Sequence, residues 1–232
     1  MKSSLPILVT IALALVPVAA RAQWCDNFDS YPVGPLVPGG GWEGWDGNAA
    51  ATAYVVNNPF HSAPNSLEIR PTTDCVHQFN GINVGLWILS GWVYIPAGIS
   101  GDQYLILMNT YVQPHLNPHW STQMLFDMTL NQIRDADNPQ SPSYPILRDQ
   151  WVAVTVDIDF YNDRQSVWYG NNLLWQESWT AGTAPGGAFN FAAIDLYSNG
   201  APSIYWDDLC LRQGGATPVE PTSWGQIKAN FR

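Results

Sequence analysis

The chain has 232 residues, of which 46% are hydrophobic and 12% charged, with nineteen Asp and Glu against nine Lys and Arg for a formal net charge of −10. This balance excludes a disordered chain and makes nucleic acid and anionic membrane surfaces poor partners. Nineteen Gly and eighteen Pro are scattered along it, and no long stretch spaces its apolar residues at 3.6, which excludes an all-helical or coiled-coil protein.

Residues 1–22 read as a secretory signal peptide. Lys2 supplies the positive start, Leu5 to Ala20 the apolar centre, and Ala20-Arg21-Ala22 the A-x-A form of a cleavage site. The alternative, a membrane anchor, asks more of an apolar run that is short for a span and is followed at once by polar, turn-rich sequence. Removal of this segment would leave seven basic residues, Lys228 the only lysine among them. The expectation is an exported product, secreted or at the cell surface, with no membrane span.

Three cysteines, Cys25, Cys75 and Cys210, follow the leader. Export permits a disulfide, and an odd count leaves one thiol over. A Cys25–Cys210 bridge would join the first and last candidate strands and leave Cys75 buried or free, whereas three unpaired buried thiols are the other reading.

From residue 23 to 212 short alternating runs are cut by Gly, Pro, Asn and Asp clusters, the pattern of strands and turns. The runs fall at Cys25–Tyr31, Thr52–Val56, Ser66–Arg70, Cys75–Phe79, Trp87–Ile95, Gln103–Thr110, Met124–Leu130, Trp151–Phe160, Gln165–Trp175, Phe189–Ser198 and Ser203–Arg212. In Trp151–Phe160 the residues Val152, Val154, Val156, Ile158 and Phe160 share one face, and Trp151, Thr155, Asp157 and Asp159 the other. Tyr169-Gly170-Asn171-Asn172 signals a hairpin turn. About ten strands, each apolar on one side, predict one antiparallel two-sheet β-sandwich of jelly-roll type over 23–212. Residues 213–221, rich in Gly and Pro, read as a linker. Residues 222–232 place Trp224, Ile227 and Phe231 on one face of a short amphipathic helix. Such a piece is marginal alone, so it is expected to dock, for instance on a cell-surface or export component.

The order of five motifs resembles the concanavalin A-like lectin/glucanase superfamily, and more closely its laminin-G-like jelly rolls in secreted bacterial proteins. They are Asn27-Phe28-Asp29-Ser30-Tyr31, Gly40-Gly41-Trp42-Glu43-Gly44-Trp45, Ala63-Pro64-Asn65-Ser66-Leu67-Glu68-Ile69, Trp151 to Asp159, and Ile204-Tyr205-Trp206-Asp207-Asp208-Leu209. The resemblance spans roughly Cys25 to Arg212. It implies that the first and last strands are neighbours, which agrees with a Cys25–Cys210 pair. It also implies a structural calcium where these ends meet, with Asp29, Asp207 and Asp208 as ligands, since hard cations take oxygen donors; the alternative is a buried Asp satisfied by backbone N–H groups. The tail is similar to C-terminal segments recurring on exported bacterial proteins.

Family members that cleave glycans carry a Glu-x-Asp-x-x-Glu motif, which is absent here; the only Glu are Glu43, Glu68, Glu177 and Glu220. The nearest substitute is the pair Asp157 and Asp159, on one strand face about 7 Å apart, a separation suited to an inverting mechanism. The same two residues also read as a solubilising strand face. A lyase would need a base such as His115 or His119, but its Arg-x-Glu-x-Arg and Gln-x-His motifs are absent. As a metal pair the two His have helical spacing, and Pro114 and Pro118 argue against a helix there. Aromatic side chains are the stronger signal, because a Trp face stacks on a pyranose ring while Asp, Asn and Gln bind its hydroxyls. Trp120, Trp151 and Trp179, with Asp157 and Asp159, are the expected exposed platform for a polysaccharide or other glycan. The reading is non-catalytic glycan binding, with a glycoside hydrolase or lyase using the Asp pair as the alternative and a structural or adhesive surface protein as the third.

Overall fold

The computed structural model describes residues 22–114 and 116–214. The leader up to residue 21, the linker and tail from 215 onward, and His115 lie outside the described residues.

Sixteen strands follow one another along the described chain. They are β1 (Ala22–Asp26), β2 (Gly34–Pro35), β3 (Trp42–Gly44), β4 (Tyr54–Val56), β5 (Ser66–Ile69), β6 (Asp74–Gln78), β7 (Leu86–Tyr94) and β8 (Asp102–Thr110) in the first half. The second half holds β9 (His119–Asp127), β10 (Gln132–Asp135), β11 (Tyr144–Pro145), β12 (Trp151–Asp159), β13 (Arg164–Tyr169), β14 (Asn172–Glu177), β15 (Ala193–Ser198) and β16 (Ile204–Gly214). A nine-stranded sheet has the order β14-β13-β12-β7-β16-β5-β4-β2, with β1 also on β16; a seven-stranded sheet runs β11-β10-β9-β8-β15-β6-β3. All pairings are antiparallel, and the fold is the expected two-sheet β-sandwich.

Alternation builds the core. Along β12 Val152, Val154, Val156 and Ile158 are buried while Trp151, Ala153, Thr155, Asp157 and Asp159 are half-buried on the outer face. Leu105 and Leu107 of β8, Met124 and Phe126 of β9, and Ile194 and Leu196 of β15 join the same interior from the other sheet. Trp42, Trp206, Phe28 and Phe126 are among its largest fully buried side chains. The strands missed by the sequence pattern, β2, β3, β10 and β11, have two to four residues and lie at or near the sheet edges. Alternation has no room to declare itself over so few residues. The run Gln165–Trp175 is two strands joined at Gly170, whose φ of 57° is a left-handed conformation suited to glycine. Gln213 and Gly214, expected in the linker, continue β16 against Trp87 and Leu86.

The first and last strands are covalently joined. Cys25 stands directly opposite Cys210, and the two form a disulfide across 185 residues of sequence. Next to it the buried Asp26 carboxylate accepts hydrogen bonds from the Phe28 N–H (3.0 Å), the Tyr31 hydroxyl (2.9 Å) and the Trp42 indole N–H (2.9 Å). Trp42 belongs to the other sheet, so Asp26 ties the N-terminal strand to both. Closing so long a loop stabilises the fold by on the order of 4–5 kcal/mol through the lost freedom of the unfolded chain. Cys75 is free and fully buried, and burial pushes its thiol up to about 12. Reduction, or Cys25→Ser with Cys210→Ser, is expected to lower Tm by roughly 10–15 °C. A maleimide probe should leave Cys75 unlabelled until the protein is unfolded.

A polar network runs between the sheets at one edge. Thr122 donates to Gln165, whose amide donates to the Ser121 carbonyl and to Glu177, at 3.1 Å for the latter. Glu177 also accepts from the Trp175 indole at 3.1 Å. Burial, and then the charge of Asp135, pushes the Glu177 carboxyl up to about 8 from an ordinary 4.5. Because the folded state favours the protonated form, its contribution is complete below about 4.5 and is lost as pH rises toward 8. Glu177→Gln keeps the accepting oxygen without the charge. It is therefore expected to melt above the wild type at pH 8 and level with it at pH 4.5; equal Tm values at both pH values would remove the assignment.

Candidate functional site

The outer face of the seven-stranded sheet is not a plain solvated surface. Successive outward positions place Asp74 on β6, Asp195 and Tyr197 on β15, Tyr104 and Ile106 on β8, and Trp120 and Gln123 on β9. Tyr197 stands between Asp74 and Tyr104, and Asp195 between Val76 and Ile106, with Gln123 beyond Ile106. Trp45, from the short turn after β3, packs against Tyr111 at 5.1 Å between ring centroids. Together these side chains line a cleft of about 450 Å³ that also reaches Ala136 and Asn199.

Asp195 is the anomaly at the floor of this cleft. It is 2% exposed, and its Oδ1 atom has no hydrogen-bond partner among the described residues. Burial first, and the charge and hydrogen bond of Asp74 second, hold its carboxyl well above the ordinary carboxylate range. Two acidic groups side by side at a buried position disfavour having both ionised at once. The rings of Tyr104 and Tyr197 lie 5.6 Å apart, and burial raises the pKa of both phenols, so they remain neutral hydroxyls. The Tyr197 hydroxyl donates to Asn199 at 3.3 Å. A cleft walled by Trp and Tyr, with two carboxyl groups and neutral hydroxyl and amide groups, suits an uncharged polyhydroxylated ligand.

Of the residues expected at the site, only Trp120 is in this cleft. Trp151 lies on the outer face of the opposite sheet, facing Tyr94 across β7 and β12. Trp179 is a correction: it is 0% exposed, packed edge-on against Phe160 (5.7 Å) and Phe191 (5.5 Å), with its indole donating to the Asn190 carbonyl. The loop after β14 turns the Trp179 ring into the core, where it is covered by these two phenylalanines. Asp157 and Asp159 share one strand face as expected. Asp157 accepts from the Trp168 indole at 3.1 Å. Asp159 accepts from the Tyr161 and Asn162 N–H groups and the Asn162 side chain, which makes it the cap of the β12–β13 turn. His119 is held through its Nδ1 atom by the Asn109 amide at 2.9 Å.

The residues expected to bind calcium are already satisfied. Asp29 accepts from the Asn65 N–H (3.0 Å) and the Asn27 amide (2.7 Å). Asp207, fully buried at a bulge in β16, accepts from the N–H groups of His61, Ser62 and Asp208. Asp208 is bound by His61 Nδ1 (2.7 Å) and the Ser62 hydroxyl (2.8 Å). The buried Asp207 carboxylate is thus satisfied by backbone N–H groups, the alternative to a calcium ligand raised from the sequence. Among the described residues no group of three His, Cys, Asp or Glu side chains is placed to hold a metal ion. Tm is therefore expected to be the same in EDTA and in millimolar calcium; a rise with calcium would show that these contacts rearrange around the ion.

Trp45, Asp74, Tyr104, Asp195 and Tyr197 were not among the expected site residues. The available signal was the single Asp in the otherwise apolar run Ala193-Ile194-Asp195-Leu196.

No protein-family model matches the chain, and no curated protein does. Solved structures are similar to it. An endo-β-1,4-glucuronan lyase from the fungus Trichoderma reesei superposes with a TM-score of 0.52 at 10% identity, over 84% of this chain and 96% of that one. A carbohydrate esterase from a Shiga toxin-encoding bacteriophage gives 0.52 at 9% identity, over 75% and 91% of the two chains. A sialidase gives 0.53 at 8% identity over 86% of this chain but only 19% of its own. At these identities the likeness concerns the fold alone: the chain is an antiparallel two-sheet β-sandwich of jelly-roll type. No helix among the described residues is long and apolar enough to cross a membrane.

Proposed function

We propose that the chain is a polysaccharide-binding protein whose ligand lies in the cleft on the outer face of the seven-stranded sheet. The observation that carries this is the placement of Trp45, Trp120, Tyr104 and Tyr197 around the buried Asp195 and its neighbour Asp74. Rings supply apolar contact to sugar faces, and the carboxyl groups offer hydrogen-bond partners to neighbouring hydroxyls. The net charge of −10 favours a neutral glycan over a uronic acid polymer. Two structural neighbours whose names describe enzymes acting on carbohydrates support a glycan ligand in general, the charge of that glycan being argued from this chain alone. The Cys25–Cys210 disulfide supports work in an oxidising compartment outside the cytosol.

Hydrolysis is the second reading, and a single observation favours it: the buried Asp195, its carboxyl held well above the ordinary range by burial and by Asp74, shares the cleft with that second acid. In that reaction Asp195 passes its proton to the bridging oxygen as the glycosidic bond breaks. Water then adds its hydroxyl to the anomeric carbon and yields its proton to Asp74. The hydrogen bond between the two carboxyls brings them closer than the roughly 5–9.5 Å that two-carboxylate glycosidases use, which ranks hydrolysis below binding.

The test incubates the protein with a panel of neutral polysaccharides and records bound fraction and new reducing ends together. The expected result is binding without product, weakened about tenfold by Trp120→Ala, the loss of one stacking ring. Product formation that stops in Asp195→Asn, with binding retained, would make the protein a hydrolase. Binding that Trp120→Ala leaves untouched would move the ligand out of this cleft.

A further inference from the structure

The outer face of the nine-stranded sheet carries a second ordered set of side chains that the cleft does not use. Tyr54, Glu68, Tyr205, Tyr94 and Trp151 stand in one row across β4, β5, β16, β7 and β12, each directly opposite the next. All five are half-buried and face outward. Ring centroids are 6.1 Å apart from Tyr205 to Tyr94 and 5.5 Å from Tyr94 to Trp151. At one end the Arg70 guanidinium lies 3.5 Å from the Tyr54 ring centre and is held there by Glu68 at 2.7 Å. Beside the row, His61 stacks on Trp92 at 4.0 Å and is fixed by Asp208.

The outer face of a sandwich is ordinarily polar, so a row of four rings there calls for a partner. The chemistry of the row selects one. It runs across the strands, so its contacts recur at the inter-strand spacing of about 4.8 Å, close to the length of one sugar unit in an extended glycan. Phenol hydroxyls and Glu68 alternate with apolar ring surface, as hydroxyl-bearing rings require. The single cation, Arg70, is already neutralised by Glu68, which removes any basis for holding a polyanion.

We propose that this row is a second binding surface for an extended neutral polysaccharide, on the sheet opposite the cleft. The proposal rests on the reading that the ligand is a glycan. Two surfaces facing away from each other give a bivalent protein that joins two polysaccharide chains, or grips one insoluble surface while the cleft takes a free end.

Calorimetric titration with neutral cello-, xylo- and laminari-hexasaccharides tests it, followed by partition onto the parent insoluble polysaccharide. The wild type is expected to bind two molecules of the preferred hexasaccharide. Tyr94→Ala with Tyr205→Ala should bind one, with partition onto the solid falling about tenfold or more. Tyr94→Phe with Tyr205→Phe keeps the rings and should keep both sites, which separates lost stacking from lost folding. One site, abolished by Trp120→Ala and indifferent to the tyrosine changes, overturns this proposal and leaves the cleft intact. One site abolished only by the tyrosine changes does the reverse, and no binding by the wild type to any of the three sugars overturns both.

Discussion

Alternation is the constraint on which the structure depends. A strand in a two-sheet sandwich commits every second side chain to one shared interior, and that interior then fixes what remains on the two outer faces. The inner faces here behave as expected: Val, Ile, Leu, Met and Phe from both sheets make one continuous core. The outer faces are where the sequence departs from simple economy. A buried acid on one and a row of rings on the other cost stability or solubility unless something uses them.

The two ends of the chain are held by a different device. β1 adds to the edge of β16, a contact that the disulfide makes permanent and that Asp26 extends to the opposite sheet through the Trp42 indole. The bulge after Asp207, with Asp208 at a φ of 49°, turns two adjacent carboxylates toward the 61–62 loop. There the Asp-Asp sequence serves loop anchoring. The same residues that resemble a cation site in sequence are occupied by N–H and O–H donors once the loop is in place.

The cleft depends on strand order. Asp74 and Asp195 are distant in sequence and meet because β15 returns between β8 and β6. Burial, and then the proximity of Asp74, holds the Asp195 carboxyl well above the ordinary carboxylate range. Asp157 and Asp159, half-buried on the outer face of β12, are instead used locally, Asp157 by the Trp168 indole and Asp159 by its turn.

Much of the architecture was legible in the residues. Period-two alternation marks β12 and the second half of β9 unaided, and the positions of Cys25 and Cys210 at the two ends anticipate their bridge. These are local properties, set by which face of one strand is apolar. The two- to four-residue edge strands, the burial of Trp179 and the separation of Trp120 from Trp151 onto opposite sheets belong to tertiary structure. So does the carboxylate pair. Alternation tells which side of a strand faces inward but not which strands become neighbours, and a site built across four strands exists only after that order is set.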